Sequence, residues 1–129
     1  MTGRYLLDTN IVIAIFNGDD HLERRVASTP EVFISIVTLG ELFYGAYNSQ
    51  HIEKNTARIW RFVAFITVLD CDPETARHYG IVKAKLRKQG KPIPENDIWI
   101  AGLANQHELT LVTRDPHFSA VKDVPRESW

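Results

Sequence analysis

Strand-like runs at Arg4 to Asp8, Glu31 to Ser35, Thr67 to Leu69 and Thr110 to Thr113, with a weaker one near Val124, alternate with helical stretches along the sequence. A strand that is followed by a helix can rejoin the same sheet in parallel, with the helix lying across one face. The alternation therefore predicts an α/β fold: a three-layer α/β/α sandwich with a central, mostly parallel sheet. Helical spacing covers Ile11 to Asn17, Asp20 to Ala27, Leu39 to Asn48, Ile52 to Phe65, Pro73 to Gln89 and Asn96 to His107, the last after the breaker run Gly90-Lys91-Pro92-Ile93-Pro94. With 129 residues, of which 44% are hydrophobic, there is material for one core covered on both sides. Residues 1–129 are read as a single domain, with no repeat, low-complexity tract or linker.

In an open parallel sheet the functional crevice lies beyond the carboxyl ends of the strands. Four acids fall at strand ends or helix starts and so belong to that edge. Asp8 closes the first strand, Glu41 is placed in the first turn of the helix after the second, Asp97 opens the helix after the proline-rich loop, and Asp115 follows the strand ending at Thr113. Each also has a purely structural reading. Thr38-Leu39-Gly40-Glu41 fits a capping box, Asp97 complements the positive end of a helix, and Asp115-Pro116 reads as an N-cap followed by proline in the first helical position. Asp8-Thr9-Asn10 can form a hydrogen-bonded turn that caps the next helix.

Four carboxylates on one edge repel one another and destabilise the fold unless cations offset them. Oxygen-only ligation selects Mg²⁺, with Mn²⁺ as the alternative, over zinc, and the five histidines (His21, His51, His78, His107, His117) show no paired ligand spacing. The single cysteine, Cys71, excludes an intrachain disulfide or a multi-cysteine metal site and suits a reducing compartment. No apolar run approaches the roughly 20 residues needed to span a bilayer, so a soluble cytoplasmic protein with no membrane role is expected. A phosphate-binding glycine loop, a dinucleotide fingerprint and a Gly-x-Ser-x-Gly turn are all missing, which leaves nucleotide hydrolysis, hydride transfer and serine hydrolysis without support.

The motifs Leu6-Leu7-Asp8-Thr9-Asn10, Thr38-Leu39-Gly40-Glu41-Leu42, Asn96-Asp97-Ile98-Trp99-Ile100-Ala101 and Thr113-Arg114-Asp115-Pro116-His117-Phe118 occur in that order over nearly the whole chain. Together they resemble a PIN-domain ribonuclease, specifically a VapC-type toxin of a type II toxin–antitoxin system. The resemblance implies a PIN-like fold and metal-dependent hydrolysis of RNA phosphodiester bonds, with Asp8, Glu41, Asp97 and Asp115 as the catalytic acids. By the same resemblance Asp8 and Asp97 are principal ligands, Asp115 completes or water-bridges the metal shell, and Glu41 binds a second ion or orients the attacking water. Thr9 and Thr113 match the family's hydroxyl positions and would hold the carboxylates. The implied substrate is a structured RNA, a tRNA or rRNA, and the implied partner is a cognate antitoxin.

A net charge of −1 argues against a uniformly cationic nucleic-acid binder, yet Thr75 to Pro94 contains no acid and carries Arg77, Lys83, Lys85, Arg87, Lys88 and Lys91. This segment is read either as a solvated helix face or as the surface that holds the RNA backbone. Arg114 is read either as a phosphate contact or as a solvated loop arginine. Aromatic residues in Leu42 to Tyr47 and Trp60 to Phe65 exceed what one helix face each can bury, which suggests a homodimer seam or a groove for an apolar partner segment. Rival readings fare worse. A haloacid-dehalogenase-like phosphatase needs an acid where Asn10 stands, and a receiver domain needs an early acid doublet and a late lysine. A non-catalytic PIN-fold RNA-binding or scaffold module would be expected to have lost an acid, and all four are present. A non-toxin RNA-processing nuclease stays as the alternative among enzymes.

Overall fold

A computed structural model describes residues 3–129. Five strands, β1 (Arg4–Leu7), β2 (Glu31–Ser35), β3 (Thr67–Leu69), β4 (Thr110–Val112) and β5 (Arg126–Glu127), form one sheet in the order β3-β2-β1-β4-β5. Every pairing is parallel. The central strand β1 aligns Leu6 and Leu7 with Phe33 and Ile34 on one side and with Leu111 and Val112 on the other. Six α-helices connect the strands: α1 (Thr9–Phe16), α2 (Asp20–Ala27), α3 (Ile36–Tyr47), α4 (Ile52–Val63), α5 (Pro73–Lys88) and α6 (Glu95–Gln106). A short 3₁₀ turn, Pro116–Ala120, follows β4.

Because successive strand residues point to opposite faces, the sheet divides the apolar residues between two cores. Leu6 and Leu111 pack with Val82, Leu86, Ile98 and Leu103 under α5 and α6. Leu7, Val32, Ile34 and Val112 pack with Ile11, Leu22, Leu42 and Ile59 under α1 to α4. Leu6, Leu7, Ile34, Leu111 and Val112 are fully buried, as a strand covered on both faces requires. The expected sandwich is present, and its sheet is parallel throughout.

Two helix boundaries differ from the sequence expectation in ways that matter for the edge. Helix α3 starts at Ile36, because Ser35 at the end of β2 caps it through a 2.9 Å bond from the Thr38 amide. Glu41 consequently lies in the second turn, and the capping box expected from Thr38 and Glu41 does not form. Helix α1 starts at Thr9, two residues early, because Asp8 caps it directly. Helices α5 and α6 run antiparallel, with Thr75 bonded to Gln106 at one end and Lys83 to Glu95 at the other. Gly90 takes a left-handed φ of 65° after α5, and the Lys91 amide returns to the Leu86 carbonyl at 3.0 Å, so the chain turns back at once toward Asp97. The two helices come close at Gly102, where an added Cβ would sit 2.9 Å from the Tyr79 backbone nitrogen.

Candidate active site

The parallel order brings the ends of β1 and β4 and the start of α6 to one edge, and α3 adds its second turn from the side. Asp8 is 4% exposed, although it follows a fully buried strand. Its Oδ1 accepts from the Thr9 amide at 2.8 Å and its Oδ2 from the Thr113 hydroxyl at 2.8 Å. The helix-capping reading of Asp8 is thus correct, yet each oxygen accepts only one of these bonds and keeps further acceptor capacity. Thr113 in turn accepts from the Asp115 amide at 2.9 Å, which ties the β4 loop to Asp8. Thr9 does the same for α3: its hydroxyl donates to Glu41 Oε1 at 2.6 Å and lies 3.1 Å from the Thr38 hydroxyl. Two threonines, Thr9 beside Asp8 and Thr113 two residues before Asp115, therefore fasten the segments that carry Asp8, Glu41 and Asp115 together.

Asp97 sits in the first turn of α6, and Asp115 caps the 3₁₀ turn by accepting from the His117 amide at 2.9 Å. The expected cap with proline in the first position is observed there. That turn also delivers an unexpected member. His117 Nδ1 stands 3.3 Å from Asp97 Oδ2 and 3.1 Å from Asp115 Oδ1, so with its proton on Nδ1 it donates between the two carboxylates. One ligand atom each from Asp97, Asp115 and His117 lie within 4.8 Å of one another. Asp8 and Glu41 do not join a group that tight. Paired histidine spacing does not reveal His117, because its partners are carboxylates and one of them is on α6. The available signal was its place two residues after Asp115, inside a capped turn.

Electrostatics link the set more widely than direct contacts do. Burial, the largest cause, pushes the Asp8 carboxyl from 3.8 to about 6; the Thr113 and Thr9 bonds oppose that rise, and the charges of Asp97 and Glu41 add to it. Asp97 is raised as well, chiefly by burial and further by Asp115 and Glu41, against the bond from His117. An open cleft of about 470 Å³ lined by Glu41, Pro94, Glu95, Asn96, Asp97, Asp115 and His117 lies over these groups. Charges that raise one another's pKa in a solvent-open cleft suit a bound cation, and carboxylate oxygens with one half-exposed imidazole are a donor set for a divalent metal.

A family model described as the PIN domain matches residues 5–124. The chain belongs to the PIN-domain family. Among curated relatives of this PIN domain, Ribonuclease VapC2 of Haemophilus influenzae is 40% identical over 98% of each chain. The tRNA(fMet)-specific endonuclease VapC of Shigella flexneri is likewise 40% identical over 98% of each. Among solved structures, DNA-bound VapBC from Salmonella typhimurium superposes with a TM-score of 0.92 at 34% identity, covering 99% of both chains. VapBC2 from Rickettsia felis, bound to a promoter DNA fragment, gives 0.91 at 29% identity over 97% of this chain and 98% of that one. These relatives place the PIN domain in the VapC group of nucleases.

Around the cleft, the cations are arranged differently from the reading by charge along the chain. Arg114 of this PIN domain donates from Nε and Nη2 to the Trp129 carbonyl at 3.1 and 2.8 Å and from Nη2 to Asp19 Oδ2 at 3.1 Å, so its side chain is engaged away from the cleft. In the acid-free segment, Lys83 pairs with Glu95 at 2.5 Å, Lys85 with Asp123, and Arg77 with Glu74 at 2.9 Å. Glu74 lies one turn before Arg77, while Glu95 and Asp123 come back from beyond the segment to meet Lys83 and Lys85. Among the described residues, Arg87, Lys88 and Lys91 are the members of that segment's basic set without an ion pair. No helix among the described residues is long and apolar enough to cross a membrane.

Proposed function

We propose that this PIN domain is a divalent-metal-dependent endoribonuclease, the toxin of a VapBC-type pair, acting in the cytoplasm on a structured RNA such as a tRNA. The observation that carries the reading is the convergence of Glu41, Asp97 and Asp115 from three separate segments on one open cleft, with the buried Asp8 close enough to feel the charges of Asp97 and Glu41 and with threonine hydroxyls holding Asp8 and Glu41 in place. The ribonuclease activity of the relatives supports the choice of RNA, and the tRNA(fMet) specificity of the Shigella relative supports a tRNA.

In this reading Asp97, Asp115 and Asp8 would hold the ion. Mg²⁺, or Mn²⁺ in its place, supplies charge to offset the phosphate and raises the acidity of an attacking water when bound. Asp8 gives up the proton that burial encourages it to keep. Glu41, oriented by Thr9, stands at the cleft wall where it can ligate a second ion or take a proton from the nucleophile. His117, half exposed and within reach of both Asp97 and Asp115, would complete the donor set. The exposed aromatic residues Tyr44, Tyr47, Trp60 and Phe65 suit a protein partner, an antitoxin segment or a second copy of the chain in a homodimer. The likeness to the toxin chain of VapBC complexes supports the antitoxin.

Cleavage of total cellular RNA by the purified chain in Mg²⁺, Mn²⁺ or EDTA, beside Asp8→Asn, tests this. Discrete metal-dependent fragments that vanish in the variant are expected, and sequencing their ends identifies the target. Absence of cleavage by folded, antitoxin-free protein, or equal cleavage by Asp8→Asn, would refute the nuclease assignment and favour a binding module.

A further inference from the structure

The cleft wall at Glu95 belongs to a second cluster, on the side of α6 that faces α5. Tyr79 and Trp99 stack there with ring centroids 4.2 Å apart and planes within 16°. The Tyr79 hydroxyl bonds to Glu95, and Lys83 Nζ contacts the other Glu95 oxygen at 2.5 Å, the Tyr79 hydroxyl at 3.1 Å and the Tyr79 ring at 5.6 Å from its centroid. Trp99 belongs to neither hydrophobic core, and both rings remain half-buried. A tryptophan that lies outside the core yet is held in one orientation by a stacked tyrosine is an arrangement that core packing alone does not require. Helical geometry puts Trp99 one turn after Glu95, on the same face, so the pair adjoins the cleft through Glu95.

Single-stranded nucleotides are held by aromatic faces or edges for the base together with a cation for the phosphate. This cluster offers both at the edge of the acid cleft, and Glu95 keeps the lysine there until a stronger anion competes. Resting on the ribonuclease reading above, we infer that Tyr79, Lys83, Glu95 and Trp99 form a nucleotide-holding surface that takes the residue next to the bond being cut. The Trp99–Tyr79 pair contacts the base. Lys83 exchanges its Glu95 partner for the RNA phosphate, so Glu95 acts as a resting counter-ion that disfavours binding.

That last role separates a substrate surface from a structural salt bridge. Binding of end-labelled bulk bacterial tRNA is measured by fluorescence anisotropy in Mg²⁺ at several salt concentrations, in an Asp8→Asn background so that the probe stays intact. Trp99→Leu should raise Kd roughly five- to a hundredfold. Lys83→Gln should raise it several-fold and reduce the salt slope by about one. Glu95→Gln should lower Kd. Thermal unfolding and circular dichroism check that each variant folds; if Trp99→Leu does not, Trp99→Phe and the opposed Lys83 and Glu95 variants decide. A Trp99 variant within twofold of its parent, or Lys83→Gln and Glu95→Gln shifting Kd in the same direction, would overturn the inference. Cleavage by the wild-type chain is scored separately, so a failed surface with intact cleavage leaves the nuclease standing, and a parent that binds no RNA sinks both.

Discussion

Two hollows, one at the carboxyl edge of the sheet and one among α1, α2 and α4, differ in kind. The acid cleft, about 470 Å³, is polar and tied to the sheet edge by short hydrogen bonds through Thr9 and Thr113. The other, about 720 Å³, lies between α2 and α4 and is walled by Ile15, Phe16, Val26, Val32, Phe62 and Phe65, with Arg58 crossing it. The larger hollow has Glu23, Arg58 and Arg61 among its apolar walls, so its one acid stands with cations and not with other carboxylates. The smaller one concentrates charge that the fold alone leaves uncompensated. Size therefore locates where a partner can seat, and unbalanced charge locates the chemistry.

The widest separation between the two is in activity. Asp97→Asn or Asp8→Asn should lower metal-dependent RNA cleavage about a hundredfold or more, since each removes a charge on which the ion depends. Phe62→Leu, on the apolar side, should leave the rate within about twofold. End-labelled RNA cleaved under single-turnover conditions measures both, and comparable losses from the two sides would erase the division of labour. Stripping the protein with EDTA should reproduce the acid variants and leave the apolar side untouched.

The same acids should cost the metal-free protein stability. The folded Asp8 carboxyl, pushed from 3.8 to about 6, holds its proton at pH values where the unfolded chain has released it. The stabilisation this proton provides is complete below pH 3.8 and is lost as pH rises through 6, leaving a penalty of about 3 kcal/mol at neutrality. Asp8→Asn should accordingly stabilise the metal-free chain at pH 7.5 by about 1–3 kcal/mol and have little effect near pH 3.5, as read by urea unfolding at both pH values. Added Mg²⁺ or Mn²⁺ should raise the Tm of the wild type more than that of the variant. A pH-independent difference would mean that Asp8 is held by its two hydrogen bonds rather than strained by its burial.

Asp8, Asp97 and Asp115 could be read from the sequence because each stands beside a local landmark, a strand end or a helix start, that fixes which edge it occupies. Glu41 was assigned to the right edge for a partly wrong reason. Ser35 competes with Thr38 to cap α3, and a serine at the end of a strand wins because its side chain already points at the first free amides. His117 was hidden because what defines it is a contact with Asp97, 20 residues away in sequence on another helix. Charge along the chain does not reveal pairing for the same reason. Thr75 to Pro94 has no acid, but Glu95 and Asp123 fold back onto Lys83 and Lys85. Periodicity resolves which face a residue takes, while pairing between side chains depends on how helices dock.

How closely α5 and α6 dock can be tested at Gly102. A Cβ there would approach the Tyr79 backbone nitrogen to 2.9 Å, and backbone cannot swing aside as a side chain tip would. Gly102→Ala should cost about 1–2 kcal/mol through overpacking, even though alanine favours the helix, and should lower Tm by several degrees. By spreading the helices it should also weaken RNA binding more than an equally destabilising substitution on the α1–α4 side. A neutral or stabilising effect would show that the two helices slide freely.

The smallest effect belongs to Phe65, which is 92% exposed at the mouth of the apolar hollow. A side chain so open to water contributes little to folding, so Phe65→Ala should change stability by less than about 0.5 kcal/mol and leave cleavage unaltered. Its loss should instead appear in association with the antitoxin, where removing a buried aromatic anchor costs about 2 kcal/mol, a roughly thirtyfold rise in Kd by calorimetry. Fold, cleavage and association would then respond to different residues, with the acids governing the second and the exposed aromatics the third. Should Phe65→Ala change none of the three, the partner seats elsewhere, and the exposed pair Tyr44 and Tyr47 on α3 becomes the face to vary next.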